Sequence, residues 1–408
     1  MNVHACSARR RQRETKGSRM EKRMGEEKRC KRMGKATGIY GLLHFLVDFG
    51  CAFLVFRFWA DAQKLSLYFF LYNFCAFALQ MPVGLLADRR NRNGRCAAAG
   101  CLAVAFALVL AALGEGLSDS PDWAGAVAVV ILAGLGNSLF HVGGGIEILN
   151  RSGRLCWPLG VFVSPGAAGI FFGTLSGKGE GMPVWLPGLL LLSGAFGLLL
   201  WQGRADESAD SDKPAEGEEK HSAAGAETQG GEERLPAALY LTGALLCVFW
   251  VVVLRSHQGM IFRFPWKKEL GGGMLALAGV VFGKAAGGIM ADRFGTGRTA
   301  VCSLLAAFFC FFSADQALPG AAGLFFFNMS MPLTLRLAAD LLSGSVGFAF
   351  GLLSFALFAG FLPAYLGYAP GALESLPVML AALSGISLLI LLPGFCLANR
   401  YLGERGHE

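Results

Sequence analysis

From residue 38 onward the chain alternates runs of about 20 apolar residues with short polar breaks, and about 20 helical residues at 1.5 Å each cross a bilayer's hydrocarbon layer. Reading on that basis predicts twelve spans, at roughly 38–58, 66–87, 96–116, 124–147, 156–177, 183–202, 235–257, 270–291, 299–316, 319–341, 345–367 and 376–398. Between the sixth and seventh lies the Gly/Ser/Glu-rich stretch 203–234, which has too little apolar surface to bury and reads as a linker. The expected organisation is all-α: a basic tail over 1–36, a six-helix bundle over 37–202, an acidic linker over 203–234, a second six-helix bundle over 235–400, and a short tail over 401–408.

Composition removes the soluble alternatives. The 408 residues are 54% hydrophobic and 16% charged, whereas soluble domains carry about 25% charged residues. There is no G-X-Y period, and the 11 cysteines form no CxxC pair, so they read as small hydrophobes. The net charge of +7 is uneven: residues 1–36 hold 13 Lys/Arg against 4 Glu, while 203–234 hold 4 against 10 Asp/Glu. With the tail placed in the cytoplasm, 28 of the 36 Lys/Arg fall on the cytoplasmic side, as the positive-inside bias requires. The expectation is a multi-pass protein of the plasma membrane (the cell's inner membrane) with both termini cytoplasmic. Its tail would meet anionic lipid, not nucleic acid. No apolar segment precedes residue 38, so no cleaved leader is expected.

The two halves repeat. Span 2 ends Gly84-Leu85-Leu86-Ala87-Asp88-Arg89, followed by Gly94-Arg95; span 8 ends Gly288-Ile289-Met290-Ala291-Asp292-Arg293, followed by Gly297-Arg298. Two copies of G-x-x-A-D-R, 204 residues apart, suit the parallel repeats of a transporter that rocks one bundle against the other. A carboxylate at a helix end beside arginines can clasp the neighbouring bundle in one state and release it in the other.

On these residues the chain resembles the major facilitator superfamily from residue 38 to 400. That resemblance implies its fold, two pseudo-symmetric bundles, and a gating role for Gly84, Asp88, Arg89, Arg95, Gly288, Asp292, Arg293 and Arg298. Span 5 carries Gly160, Ser164-Pro165-Gly166 and Gly169, similar to the G-x-x-x-G-P-x-x-G-G motif of the superfamily's antiporters. Gly160, Pro165 and Gly169 match, and the alternative is a generic proline-kinked packing helix. In span 4, Gly136-Asn137-Ser138-Leu139-Phe140-His141 resembles the fosmidomycin-resistance-type exporters, with Val142 where that group often has proline.

Polar groups inside spans single out the candidate chemistry, because a charge at the bilayer midplane costs at least ~2.5–3.5 kcal/mol. Asp48 lies mid-span with His44 one turn earlier, a pair able to exchange a proton or simply to satisfy each other. Asn137 and His141 repeat that spacing in span 4, either meeting a substrate or bonding the Gly143–Gly145 backbone. Arg255 either clamps an anion or snorkels to the interface. Lys284, and Gln80 at the equivalent position of the first half, face the cavity if the repeat holds, although Lys284 could instead lock to Asp292 or a neighbour. Asn328 is repeat-equivalent to Asn137, while Glu147 with Arg151 and Arg336 with Asp340 read as structural pairs. No Walker A, HExxH or GxSxG motif and no His/Cys set with zinc spacing occurs, so no enzyme, cofactor or metal is expected. The expected function is alternating-access transport, proton-coupled and exporting a small organic, drug-like or anionic molecule, by a monomer. The alternative is uptake or facilitated diffusion of a nutrient or anion.

Overall fold

The protein is described by a computed structural model over residues 3–60, 64–117, 125–179, 181–211, 234–261, 263–367 and 376–405. Most of the acidic linker (212–233) and residues 406–408 of the C-terminal tail lie outside the described residues. Among those described, twelve helices follow one another: α1 (Val3–Phe58), α2 (Leu65–Arg90), α3 (Asn93–Leu117), α4 (Ala126–Ser152), α5 (Trp157–Lys178), α6 (Trp185–Ser211), α7 (Arg234–Ile261), α8 (Leu270–Phe294), α9 (Thr296–Phe311), α10 (Ala317–Leu341), α11 (Val346–Tyr365) and α12 (Leu376–Arg405). Eleven are long and apolar enough to cross a membrane. The exception is α9, expected over 299–316 but only 16 residues long, or about 24 Å. Turn hydrogen bonds from Phe312, Ser313 and Ala314 back to residues 309–311 end it early.

The helices form two bundles. In the first, α1 packs along α5 and beside α4, and α3 along α4 and α6; in the second, α7 packs along α12 and α11, and α8 along α10. The bundles meet through two equivalent helix pairs, α2 with α11 and α5 with α8.

The duplicated motif builds this meeting. Gly84 in α2 and Gly288 in α8 face the first residues of a helix in the other bundle. A Cβ on Gly288 would stand 2.5 Å from the Cys156 carbonyl oxygen, and one on Gly84 would collide with the Gly347 carbonyl. Only glycine lets the backbones close so far. One turn later on the same face, Asp88 accepts hydrogen bonds from the N–H groups of Gly347 and Phe348 (2.7 and 2.9 Å), at the start of α11. Asp292 does the same to Cys156 and Trp157 (2.7 and 2.9 Å), at the start of α5. Each carboxylate meets the unsatisfied donors and positive end of a helix, so each bond is charge-assisted. Beyond the two carboxylates the helices stop in the same way. Asn91 (φ 45°) follows α2 and Gly295 (φ 89°) follows α8, both in conformations that Asn and Gly tolerate.

The arginines behave differently from the expected clasp. Arg89, Arg95, Arg293 and Arg298 are exposed, and the backbone amides supply the partners of both carboxylates. A third link on the same side joins Arg336 of α10 to the carbonyl of Gly153, between α4 and α5, while Asp340 pairs with Arg336 as expected. The motif side is therefore closed in this state.

Cys156 reports on that closure. It is 1% exposed, and its N–H donates to the Asp292 carboxylate, so its thiol is shielded while the clasp holds. In a variant retaining Cys156 as its only cysteine, maleimide labelling at pH 7.5 should be slow. Gly288→Val, which forces α8 from α5, should speed it at least about tenfold, the loss of roughly one hydrogen bond to a charged group. Equal rates would contradict the clasp.

Candidate functional site

Four of the intramembrane residues singled out by spacing come together at one point. Asp48 and His44 on α1 face Asn137 and His141 on α4. His44 Nε2 lies 3.2 Å from Asp48 Oδ2 and 2.9 Å from His141 Nε2; His141 Nε2 lies 3.7 Å from Asp48 Oδ1. The Asn137 side-chain amide donates to Asp48 Oδ1 at 3.0 Å, so the pairs are coupled to each other and not to the Gly143–Gly145 backbone. All four residues are buried.

The ring orientations fix the chemistry. His44 Nδ1 stands 2.8 Å from the Phe162 carbonyl oxygen of α5, and His141 Nδ1 stands 2.9 Å from the Asn137 carbonyl oxygen. A carbonyl only accepts, so each Nδ1 carries a hydrogen and each Nε2 of a neutral ring presents a lone pair. Two such lone pairs 2.9 Å apart, beside a carboxylate, repel unless a cation lies among them. A proton or another cation held between the two Nε2 atoms would satisfy the arrangement.

His44, Asp48 and His141 line a cavity of about 330 Å³ between the bundles, within the range of small-molecule sites, whereas Asn137, expected at the cavity, bonds Asp48 and is not part of the lining. The wall from the second bundle is cationic. Arg255 of α7 is buried instead of snorkelling, and donates to Ser330 Oγ and Thr334 Oγ1, both at 3.4 Å. Lys284 of α8 donates to the Val163 carbonyl at 3.3 Å; it does not lock to Asp292, whose oxygens are taken by backbone amides. Among the described residues no carboxylate pairs with Arg255 or Lys284.

Local breaks in the helices present the remaining polar groups. In α10 the helix is interrupted at Met329, because Pro332 lacks the N–H that would bond the Asn328 carbonyl. The Asn328 side chain donates to Leu324 O at 2.8 Å and borders the cavity. In α2 a π-turn over Phe74–Ala78 precedes Gln80, which donates to Ala76 O at 2.5 Å and leaves its side-chain oxygen buried without a partner. Phe77, Phe350 and Phe361 form the apolar wall, whereas Phe325, Phe326 and Phe327 do not line it. Ile170, Gly259 and Phe361 carry the lining toward the side away from the motif.

The span 5 pattern faces both bundles. Pro165 lies inside α5, Gly160 abuts the α8 backbone at Lys284, and Gly169 abuts α1 at Phe45 and Phe49. Ser164 Oγ lies 2.6 Å from Gly160 O and 3.0 Å from Val281 O of α8. Glu147 pairs with Arg151 at 2.5 Å, as its spacing predicts. Spacing gave no sign that His44, Asp48 and His141 form one three-ligand group, because they sit on two helices 97 residues apart at the widest. It also left the serine and threonine that hold Arg255 unnoticed.

No family model matches the chain, and no curated protein matches it. Solved structures do. A variant of the E. coli fucose:proton symporter FucP aligns at 14% identity over 90% of this chain and 98% of that one, with a TM-score of 0.58. FucP in the outward conformation, a Major Facilitator Superfamily transporter, aligns at 12% identity over 90% and 98%, with a TM-score of 0.60. A bacterial homologue of the iron transporter ferroportin, in its outward-facing state, aligns at 16% over 90% and 99%, with a TM-score of 0.52. The chain therefore has the major facilitator fold. These likenesses lend nothing to the fosmidomycin-resistance-type branch, which rests on the residues of α4 alone.

Asn137 is the donor that orients Asp48. Asn137→Ala should cost about 1.5–3 kcal/mol, the worth of a hydrogen bond to a charged group, and lower the apparent Tm in detergent. An unchanged Tm would show that Asp48 finds an equal donor elsewhere.

Proposed function

We propose that the protein is a secondary transporter working by alternating access, which couples proton movement to the export of a small organic anion. One observation carries this reading: a cavity between two repeat-related bundles sets a group of converging acceptors, His44, Asp48 and His141, against two cationic side chains, Arg255 and Lys284. An anion entering the cavity would meet those cations from the second bundle, while the proton resides on the first. Binding on both walls gives each ligand a differential grip on the two states, the requirement for any ligand-driven conformational change. The closed motif side and the FucP neighbours, one of them a proton symporter by name, support such a cycle.

Export is favoured over uptake by the span 5 pattern Gly160, Pro165 and Gly169. The second reading is uptake of an anion, supported by Arg263, Lys267 and Lys268 in the segment between α7 and α8. We further take the protein to be a monomer of the plasma membrane, with a tail over 1–36 and bundles over 37–202 and 235–400. Both termini would be cytoplasmic.

A thermal-shift panel of small carboxylates, phosphonates and antibiotics on purified protein identifies the ligand, since a binder of the folded state raises the apparent Tm. In proteoliposomes, an imposed pH gradient should then drive movement of that ligand, and Asp48→Asn should remove the response. Arg255→Gln should weaken ligand binding by at least about tenfold, the scale of a lost charged hydrogen bond. Movement indifferent both to the gradient and to Asp48→Asn would overturn the coupling; accumulation in cells expressing the protein would reverse the direction.

A further inference from the structure

The acceptor group has the features of a metal site as well as of a proton site. Its three ligating atoms come from two imidazoles and one carboxylate, and all lie within 4.8 Å of one another. A first-row divalent ion with bonds of ~2.0–2.2 Å holds adjacent ligands roughly 3–3.5 Å apart. The separations here are 2.9, 3.2 and 3.7 Å, so a metal could enter with shifts of a few tenths of an ångström.

The surroundings match as well. Metal-bound histidines typically donate their second N–H to a carbonyl or carboxylate, which fixes the tautomer. Both rings do so here, to Phe162 O and Asn137 O, and Asp48 is oriented by the Asn137 amide. Room for an ion is kept by Gly166 of α5, whose missing side chain faces the group. A Cβ there would come within 2.5 Å of Asp48 Oδ2 and collide with His44 Nε2. The same glycine borders the cavity, which supplies an entry path and leaves coordination positions open.

We propose that His44, Asp48 and His141 bind one divalent transition-metal ion of the zinc, cobalt or nickel type, reached from the central cavity through the space at Gly166. Two nitrogens and one carboxylate oxygen suit these ions and leave room for water or a ligand oxygen to complete the shell. Lys284 is within electrostatic reach of Asp48 and His141 and opposes the ion's charge, so an anion on Lys284 would strengthen binding. The inference uses the site's geometry and needs neither the direction nor the cargo proposed above.

The test is cobalt titration of the tag-free full chain in detergent, followed by visible absorbance and competition with zinc. One equivalent of Co²⁺ should give the d–d bands of a low-coordinate nitrogen and oxygen site, and zinc should abolish them. His44→Gln and His141→Gln should each weaken binding at least about 100-fold, beyond the 10–100-fold range of outer-shell losses. Gly166→Ala, which keeps all three ligands, should weaken it too, and Lys284→Met should tighten it. Apparent Tm without metal identifies any variant that fails to fold, and the Lys284→Met gain needs no disrupted variant. Absence of a saturable one-equivalent band would overturn the proposal. So would a band unchanged in both histidine variants, which would assign the metal to other histidines of the chain. Proton coupling is measured separately, with chelator present, so either result can fail without the other.

Discussion

A carboxylate in the middle of a bilayer persists only where other groups compensate its charge, and Asp48 sets that requirement for the first bundle. Asn137 donates to one of its oxygens, and the two histidines surround it. The histidines in turn are turned by backbone carbonyls so that their lone pairs converge. The result is a buried pocket of acceptors that is incomplete without a positive charge. Breaking one member of such a group leaves the others desolvated and unpaired, so its members stand or fall together.

Helix α5 connects this pocket to the closed side of the molecule. The amides of Cys156, just before it, and of Trp157, its first residue, are held by Asp292 of the other bundle. Two turns on, its carbonyls at Phe162 and Val163 accept from His44 and from Lys284, and Gly166 leaves space beside Asp48. A movement that released α5 from Asp292 would therefore disturb the acceptor pocket and the cationic wall at once. The equivalent contact of Asp88 with α11 lies beside the other wall, where Phe350 of α11 borders the cavity. The two carboxylates fall on matching atoms because the halves are repeats.

The sequence made much of this legible, for reasons visible in particular residues. Helices of about 20 apolar residues announce themselves by length, and only α9 fell short, where turns over 312–314 close it early. Spacing of four residues predicted the His44/Asp48 and Glu147/Arg151 pairs, since local geometry alone decides them. Contacts between helices were beyond that reasoning. Nothing in a linear pattern says that α1 and α4 meet at these two pairs, or that Asp292 takes backbone amides in preference to Lys284. The arginines of the motif were assigned to the clasp because they stand beside the carboxylates. A helix N-terminus offers unsatisfied donors without showing them in its side chains.

The account depends most on which nitrogen of each ring carries hydrogen. Nitrogen-15 NMR of the histidine-labelled protein in detergent, assigned with His44→Gln and His141→Gln, reads this directly. The geometry predicts Nδ1–H on both rings, with a single exchangeable proton shared at the two Nε2 atoms. Two rings in the Nε2–H form, with Nδ1 lacking hydrogen, would contradict it.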